Sequence, residues 1–283
     1  MKIATENLQP GHHLNLLQGG TELFPAMIRE IEHAREGLLR LALGGTAVGT
    51  GLNAPAGFSE NVAAEIASLT GKKYITNPNK FEAQGSLDAM VRAHGALRGV
   101  AVALMKIAND MRWLASGPRC GLGELLLPQN EPGSSIMPGK VNPTQCEAIV
   151  MISIQVIGDD SAVAFAGSQG NFELNAMRPI IINNFLHSAR ILGDGCEKFL
   201  TYSVEGTQLN RPKIEEYVGD SVMLVTALSP VIGYQNAAHI AEHAIASGTT
   251  LREAALASGK VTAEQFDAVV VPGHMVGSGV GGA

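Results

Sequence analysis

Residues Leu87, Met90, His94, Leu97, Ala101, Leu104, Ala108 and Met111 follow one another at alternating steps of three and four, a seam that returns every seven residues. A strand repeats every two residues and cannot keep such a seam on one side; a helix can. The run from about Asn79 to about Ser116, if continuous, would be about 55 Å long at about 1.5 Å per residue, more than a compact monomer of 283 residues needs. Large and small side chains alternate along it, so neighbouring helices can approach closely. Two more long segments follow. Pro143 to about Phe165 is apolar on nearly all sides, and about Leu174 to Tyr202 holds Ile180, Ile181, Phe185, Leu186, Ile191 and Leu192. A helix apolar all round must be covered all round. With the stretch from about Met27 to Leu43 these make four long helices, and a bundle shared between subunits is the simplest way to cover them. The expected fold class is all-α.

The segments between helices are punctuated by glycine and proline. "GGTAVGTGLNAPAGF" (44–58) and "GPRCGLGELLLPQNEPGSSIMPGKVNP" (117–143) are long connections of the kind that carry function in helical proteins. After Glu205 the helical pieces become short. The reading therefore divides the chain into an N-terminal arm (1–28), a central helical-bundle domain (29–204) with the loop 133–143 inside it, and a small helical C-terminal domain (205–283) with a loose tail. No glycine cluster follows a strand, so a dinucleotide fingerprint is absent.

Net charge of −6 with scattered lysines and arginines argues against a nucleic-acid partner. The longest apolar stretches, such as "AIVMISIQVIG" (148–158), fall short of the roughly 18–20 residues of a membrane span, and the first residues carry no apolar signal core. Cys120, Cys146 and Cys196 are odd in number and widely spaced, which suits free thiols in a reducing compartment and fits no zinc pattern. The expectation is a cytoplasmic protein without membrane contact.

"GSSIMPGKVNP" (133–143) concentrates two serines, a lysine and an asparagine ahead of a helix. Asn142 followed by Pro143 predicts the helix start, asparagine as the cap and proline as the first residue. Positive partial charge at that end, with Lys140 beside it, makes a place for a carboxylate or phosphate. An ordinary capped helix with a solvated lysine has the same spacing, and spacing alone does not choose between them. His94, inside the seam, reads as a packed, hydrogen-bonded core histidine. Cys146 reads as an inert buried thiol.

The longer stretch "GSSIMPGKVNPTQCEA" (133–148) resembles the signature of the fumarase and aspartase superfamily, in the form found in class II fumarate hydratases. "ALGGTAVGTGLN" (42–53), "PNKFEA" (78–83), "LMKIANDMRWLASGPRCGLGE" (104–124), "GNFELN" (170–175), "SVMLVTAL" (221–228) and "MVGS" (275–278) agree with the family in order. The resemblance runs from about Arg29 to about Ser278. Gly139 and Thr144-Gln145-Cys146 follow the fumarase rather than the aspartase pattern.

What the resemblance implies is a lyase of the tricarboxylic acid cycle: reversible trans elimination of water from (S)-malate to give fumarate, with no metal and no organic cofactor. Ser134 would be the catalytic base, its alkoxide held by loop N–H groups. Lys140 and Asn142 would stabilise the doubly charged aci-carboxylate, while Ser135 and the Val141 backbone would bind substrate. Glu147 matches the acidic residue that pairs with the family's active-site histidine. The partners implied are a small dicarboxylate and further copies of the chain, a homotetramer in the family. The family's N-terminal domain, and with it serine and threonine ligands, a Ser-Ser-Asn triplet and a threonine–histidine pair, has no counterpart among these residues. "MKIATENLQPGHHLNLLQGG" stands where the pair belongs, which raises His12 and His13 as substitutes. The expectation is thus a truncated chain with an incomplete site. The alternatives are a non-catalytic helical oligomer derived from the family and aspartate ammonia-lyase-type activity.

Overall fold

The computed structural model describes residues 12–276, and the side chains of residues 25–275. The described residues form two compact units, 23–112 with 128–206, and 113–127 with 12–22 and 207–276.

The larger unit holds the greater part of the long helices α1 (His12–Leu38) and α4 (Asp88–Leu114) and all of α5 (Thr144–Gly167) and α6 (Arg178–Phe199), with the shorter α2 (Phe58–Thr70) and α3 (Lys80–Gly85) between α1 and α4. Strand β1 (Arg40–Leu41) pairs in parallel with β2 (Ile75–Thr76). The first helix begins well upstream of the Met27 expected, and Pro25 lies within it. The arm's residues 1–11 and the side chains of His12 and His13 lie outside the described residues.

The single helix expected over 79–116 is two. Asn79 caps α3 by accepting the Glu82 N–H at 3.1 Å, and the chain turns through extended Ser86 before α4 begins. Arg178 caps the other end of α3, donating Nη2 to the Ala83 and Gln84 carbonyls at 3.1 and 2.7 Å. Every seam residue of α4 is buried or half-buried, while Asp88, Arg92, Arg98, Val102 and Lys106 face out. The loop 44–53 closes over α3: a Cβ on Gly49 would lie 2.7 Å from the Phe81 nitrogen, and φ there is +96°, so only glycine fits.

Helices α5 and α6 run side by side and antiparallel. Gly195 admits the close approach, since a Cβ there would meet Ile152 Cδ1 at 2.6 Å. Their hairpin is pinned by Asn175, wholly buried. Its Nδ2 donates to the Ala166 and Gly167 carbonyls, its Oδ1 accepts the Met177 N–H and its own N–H goes to Gln84. Beyond α6 the helix widens into a π turn, Leu200–Val204. Helix α5 is apolar on nearly all sides, as expected, and buries Ile149, Val156 and Val163 while Met151, Ile154 and Phe165 stay exposed. At 24 residues it is, by length and composition alone, long enough to cross a membrane, contrary to the sequence reading of shorter runs. Glu147 and two buried carboxylates, Asp159 and Asp160, interrupt it, and both aspartates are hydrogen-bonded to neighbouring helices, as in a core helix.

The smaller unit pairs β3 (Leu125–Leu126) with β4 (Gln208–Leu209) antiparallel. It continues through α7 (Arg211–Asp220), a 3-10 helix Val222–Leu228, α8 (Ser229–Ile232), α9 (Tyr234–Ser247), α10 (Leu251–Ala257) and α11 (Ala263–Val269). Leu224, Leu228, Ile240, Leu251 and Phe266 centre its core. Thr250 with Glu253 and Thr262 with Gln265 form reciprocal capping boxes that start α10 and α11. The tail expected to be loose begins with a 3-10 turn, Pro272–Val276.

Candidate active site

The loop 128–143 enters α5 through a closed neck. A Cβ on Gly133 would lie 2.0 Å from the Lys140 carbonyl oxygen, so the two arms of the loop touch backbone to backbone and glycine is required. Asn142 does not cap α5. Its Nδ2 donates to the Gly133 carbonyl at 2.6 Å instead, tying the neck, and Pro143 occupies the cap position without a side-chain bond. The helix's first backbone bond is Glu147 N–H to Pro143 O at 3.0 Å. Where the two arms cross, the Gly133 carbonyl takes an Asn142 amide hydrogen, and the helix begins one residue later than the Asn-Pro pair predicts.

Ser134 sits half-buried at the start of the loop. Its Oγ accepts the N–H groups of Ile136 at 3.2 Å and Met137 at 3.1 Å. Gly139 takes φ +79°, turning the chain so that Lys140 follows. Ser135, Lys140 and Val141 are exposed. Among the described residues no carboxylate lies within ion-pair distance of the Lys140 ammonium. Ile136 is 82% exposed, and the loop's outer edge is therefore apolar.

Glu147 lies on the first turn of α5, and its recorded partner is Arg112 of α4, Nη2 to Oε1 at 3.5 Å. The sequence reading missed Arg112, because it lies 35 residues away along the chain. Cys146 is fully buried, with Sγ 3.9 Å from Ser203 Oγ. Burial pushes its thiol above the ordinary range, against the pull of Ser203 and Arg112, so it stays protonated and unreactive. His94 is fully buried and hydrogen-bonded through both ring nitrogens, as expected of a core histidine. Among the described residues no cluster of three or more histidine, cysteine, aspartate or glutamate side chains could hold a metal ion.

A long-helix unit with a serine–lysine–asparagine loop at the head of one helix is the arrangement of a known class. The model of the family described as Lyase matches residues 16–158, and the chain belongs to that family. A second model, described as the Fumarase C C-terminus, matches residues 224–277. Proteins named class II fumarate hydratase are similar to it. That of Methanosarcina acetivorans is 66% identical over 247 residues, covering 87% of this chain and 51% of its own length. That of Ralstonia nicotianae is 57% identical over 284 residues, covering 98% and 61%. Among solved structures, a class II fumarase from Schistosoma mansoni superposes with a TM-score of 0.89 at 41% identity, over 92% of this chain and 57% of that one. The chain thus spans 51–61% of the length of these relatives.

Proposed function

We propose that this chain carries the C-terminal part of a fumarate hydratase active site, catalysing reversible elimination of water from (S)-malate. The observation that carries the reading is the pair of amide N–H groups, from Ile136 and Met137, aimed at Ser134 Oγ. An alcohol serves as a base only when its alkoxide is stabilised, and two convergent N–H donors do that without adding a proton source. Ser134 would remove the proton beside the substrate carboxylate, the electron pair moving into the aci-carboxylate. The C–O bond then breaks, the double bond forms and the hydroxyl, protonated by an acid on the opposite side of the substrate that this loop does not supply, leaves as water. Lys140 lies exposed at the head of α5 with no acidic partner among the described residues, a fitting counter-charge for the developing dianion. Asn142 would hold the neck with one amide hydrogen and offer the other to the aci-carboxylate. Ser135 and the Val141 backbone would complete the carboxylate contacts, and Glu147 would orient a histidine supplied by a segment that these 283 residues do not contain.

The same reading makes the chain part of a cytoplasmic homo-oligomer, a tetramer, with a bundle domain over 29–204 and a C-terminal helical domain over 205–283. Helices α4, α5 and α6 leave Val102, Met151, Ile154, Phe165, Ile180 and Leu186 exposed, which favours association.

The test is complementation. This chain is mixed with a separately expressed N-terminal portion of the Methanosarcina acetivorans relative, and loss of fumarate absorbance is followed. Activity is expected in the mixture, with Ser134→Ala and Lys140→Met each lowering it by about 10²-fold or more. Unchanged rates in either variant overturn the assignment. Aspartate as the main product from fumarate and ammonium would replace it with an ammonia-lyase, and a folded mixture without turnover would favour the non-catalytic oligomer.

A further inference from the structure

A chain of buried polar groups crosses from α4 to α5 and α6 and has no part in the proposed chemistry. His94 Nδ1 lies 3.0 Å from Asp160 Oδ1, and its Nε2 lies 3.0 Å from Ser188 Oγ. Arg98 donates to the other Asp160 oxygen at 2.7 Å. Ser188 Oγ also reaches Asp159 Oδ2 at 3.0 Å, and His187 and Gln155 complete the Asp159 carboxylate at 3.1 and 2.9 Å. Aspartate, histidine and serine in series have the order of an activated nucleophile. Ser188 and His94 have no exposed surface, however, so no substrate can reach them.

The sequence of α4 supplies a different use. Its seam repeats every seven residues, so sliding the helix by one heptad, about 10.5 Å, lays apolar positions on apolar positions again. Apart from Ser153, Gln155, Asp159 and Asp160, helix α5 is apolar on most of its surface and offers little resistance. The buried alanines 93, 101, 103 and 108 key weakly into neighbours. Helices α5 and α6 are already fixed to each other by the Asn175 hairpin, whereas α4 reaches α5 only through the long connection 115–143. Apolar packing therefore leaves the placement of α4 degenerate. His94 breaks the degeneracy, because it is the one charged or strongly polar residue of the seam. A one-heptad slide would put Leu87 or Ala101 opposite Asp160 and Ser188, leaving a buried carboxylate and hydroxyl unpaired, a heavily disfavoured state.

We infer that His94, with Asp160 and Ser188, sets the register of α4 against the α5–α6 hairpin. It acts as a single polar residue does at a seam position of a coiled coil. Resting on the proposed function, the register also carries a positioning consequence: α4 brings Arg112 to Glu147 at the head of α5 only in this alignment.

Cross-linking tests it in a chain whose Cys120, Cys146 and Cys196 are changed to alanine. Val91→Cys with Gly167→Cys reports the native register, since a Cβ on Gly167 would lie 2.6 Å from Val91 Cγ2. Arg98→Cys with Gly167→Cys reports the register slid by one heptad. The parent chain is expected to form only the first disulfide. The apolar variant His94→Leu/Asp160→Leu/Ser188→Ala is expected to stay helical by circular dichroism and to form the second as well, at about one tenth of the product or more, the share of a register within tenfold of the native one. Restoring polarity without charge, as His94→Gln/Asp160→Asn, should return the native disulfide alone. The inference is overturned if the apolar variant unfolds, since the network would then serve stability rather than register, if it forms only the native disulfide, or if the uncharged polar variant slides as the apolar one does. None of these outcomes depends on catalysis, so failure here is distinct from failure of the proposed reaction.

Discussion

Asp159 gives the sharpest test among single residues. Burial alone would raise its pKa, but hydrogen bonds from His187, Gln155 and Ser188 outweigh it and hold the carboxyl below the ordinary carboxylate range. A depressed folded-state value stabilises the fold above the unfolded value, near 3.9, and that contribution fades as pH falls through the folded value. Asp159→Asn sets an amide N–H₂ against these donors. It should cost about 1–3 kcal/mol at pH 7, and the difference from the parent should shrink below about pH 3.9 in urea denaturation. A difference constant from pH 7 to pH 3 would show that the charge of Asp159 is not what the network uses. Gly133→Ala tests the loop neck at the same scale. Its Cβ meets the Lys140 carbonyl backbone, so the two arms must part and Ser134 must shift. Activity in the complemented mixture should fall by about 10²-fold, the effect of an ångström-scale misplacement, with the melting temperature nearly unchanged because the loop is surface-exposed.

At the scale of elements, the α5–α6 hairpin depends on one side chain more than on its apolar contacts. Asn175 satisfies two helix-end carbonyls and the Met177 N–H, and its own backbone bonds to α3. Asn175→Ala removes the side-chain bonds to the Ala166 and Gly167 carbonyls and to the Met177 N–H, with only the Ala166 carbonyl keeping a recorded second donor in Gln169 N–H, and should destabilise the chain by about 1–3 kcal/mol, measured as a lower urea midpoint. The seam of α4 was readable from its apolar steps of three and four, and the other long helices from their runs of apolar residues between glycine- and proline-rich segments. Their ends were not. The break at Ser86 depends on Arg178, 92 residues away in the chain, meeting the carbonyls of α3, and no window of sequence holds both. Asn142 is the same lesson in the site: an Asn-Pro pair predicts a cap, yet the tertiary crossing at Gly133 took its amide.

For the whole molecule the prediction is association. A 29.6 kDa chain that exposes Met151, Ile154 and Phe165 on α5 and Ile180 and Leu186 on α6 should sediment as a concentration-dependent oligomer. A monomer at tens of micromolar would contradict the shared bundle. The smaller unit, with its own core around Leu228, Ile240 and Phe266, needs no partner for its interior.

The order of residues along the chain was enough to specify helices, the seam of α4 and, through its motifs, the family. Those features are local: each is written within a few tens of residues and repeats a pattern that only one kind of structure satisfies. Two matters were decided by folding alone. Glu147 meets Arg112 because α4 ends beside the start of α5, and His94 finds Asp160 and Ser188, 66 and 94 residues away. Each joins groups that sequence separates, and a side chain's partner is fixed by which helix faces pack together, a choice made by all the apolar surfaces at once.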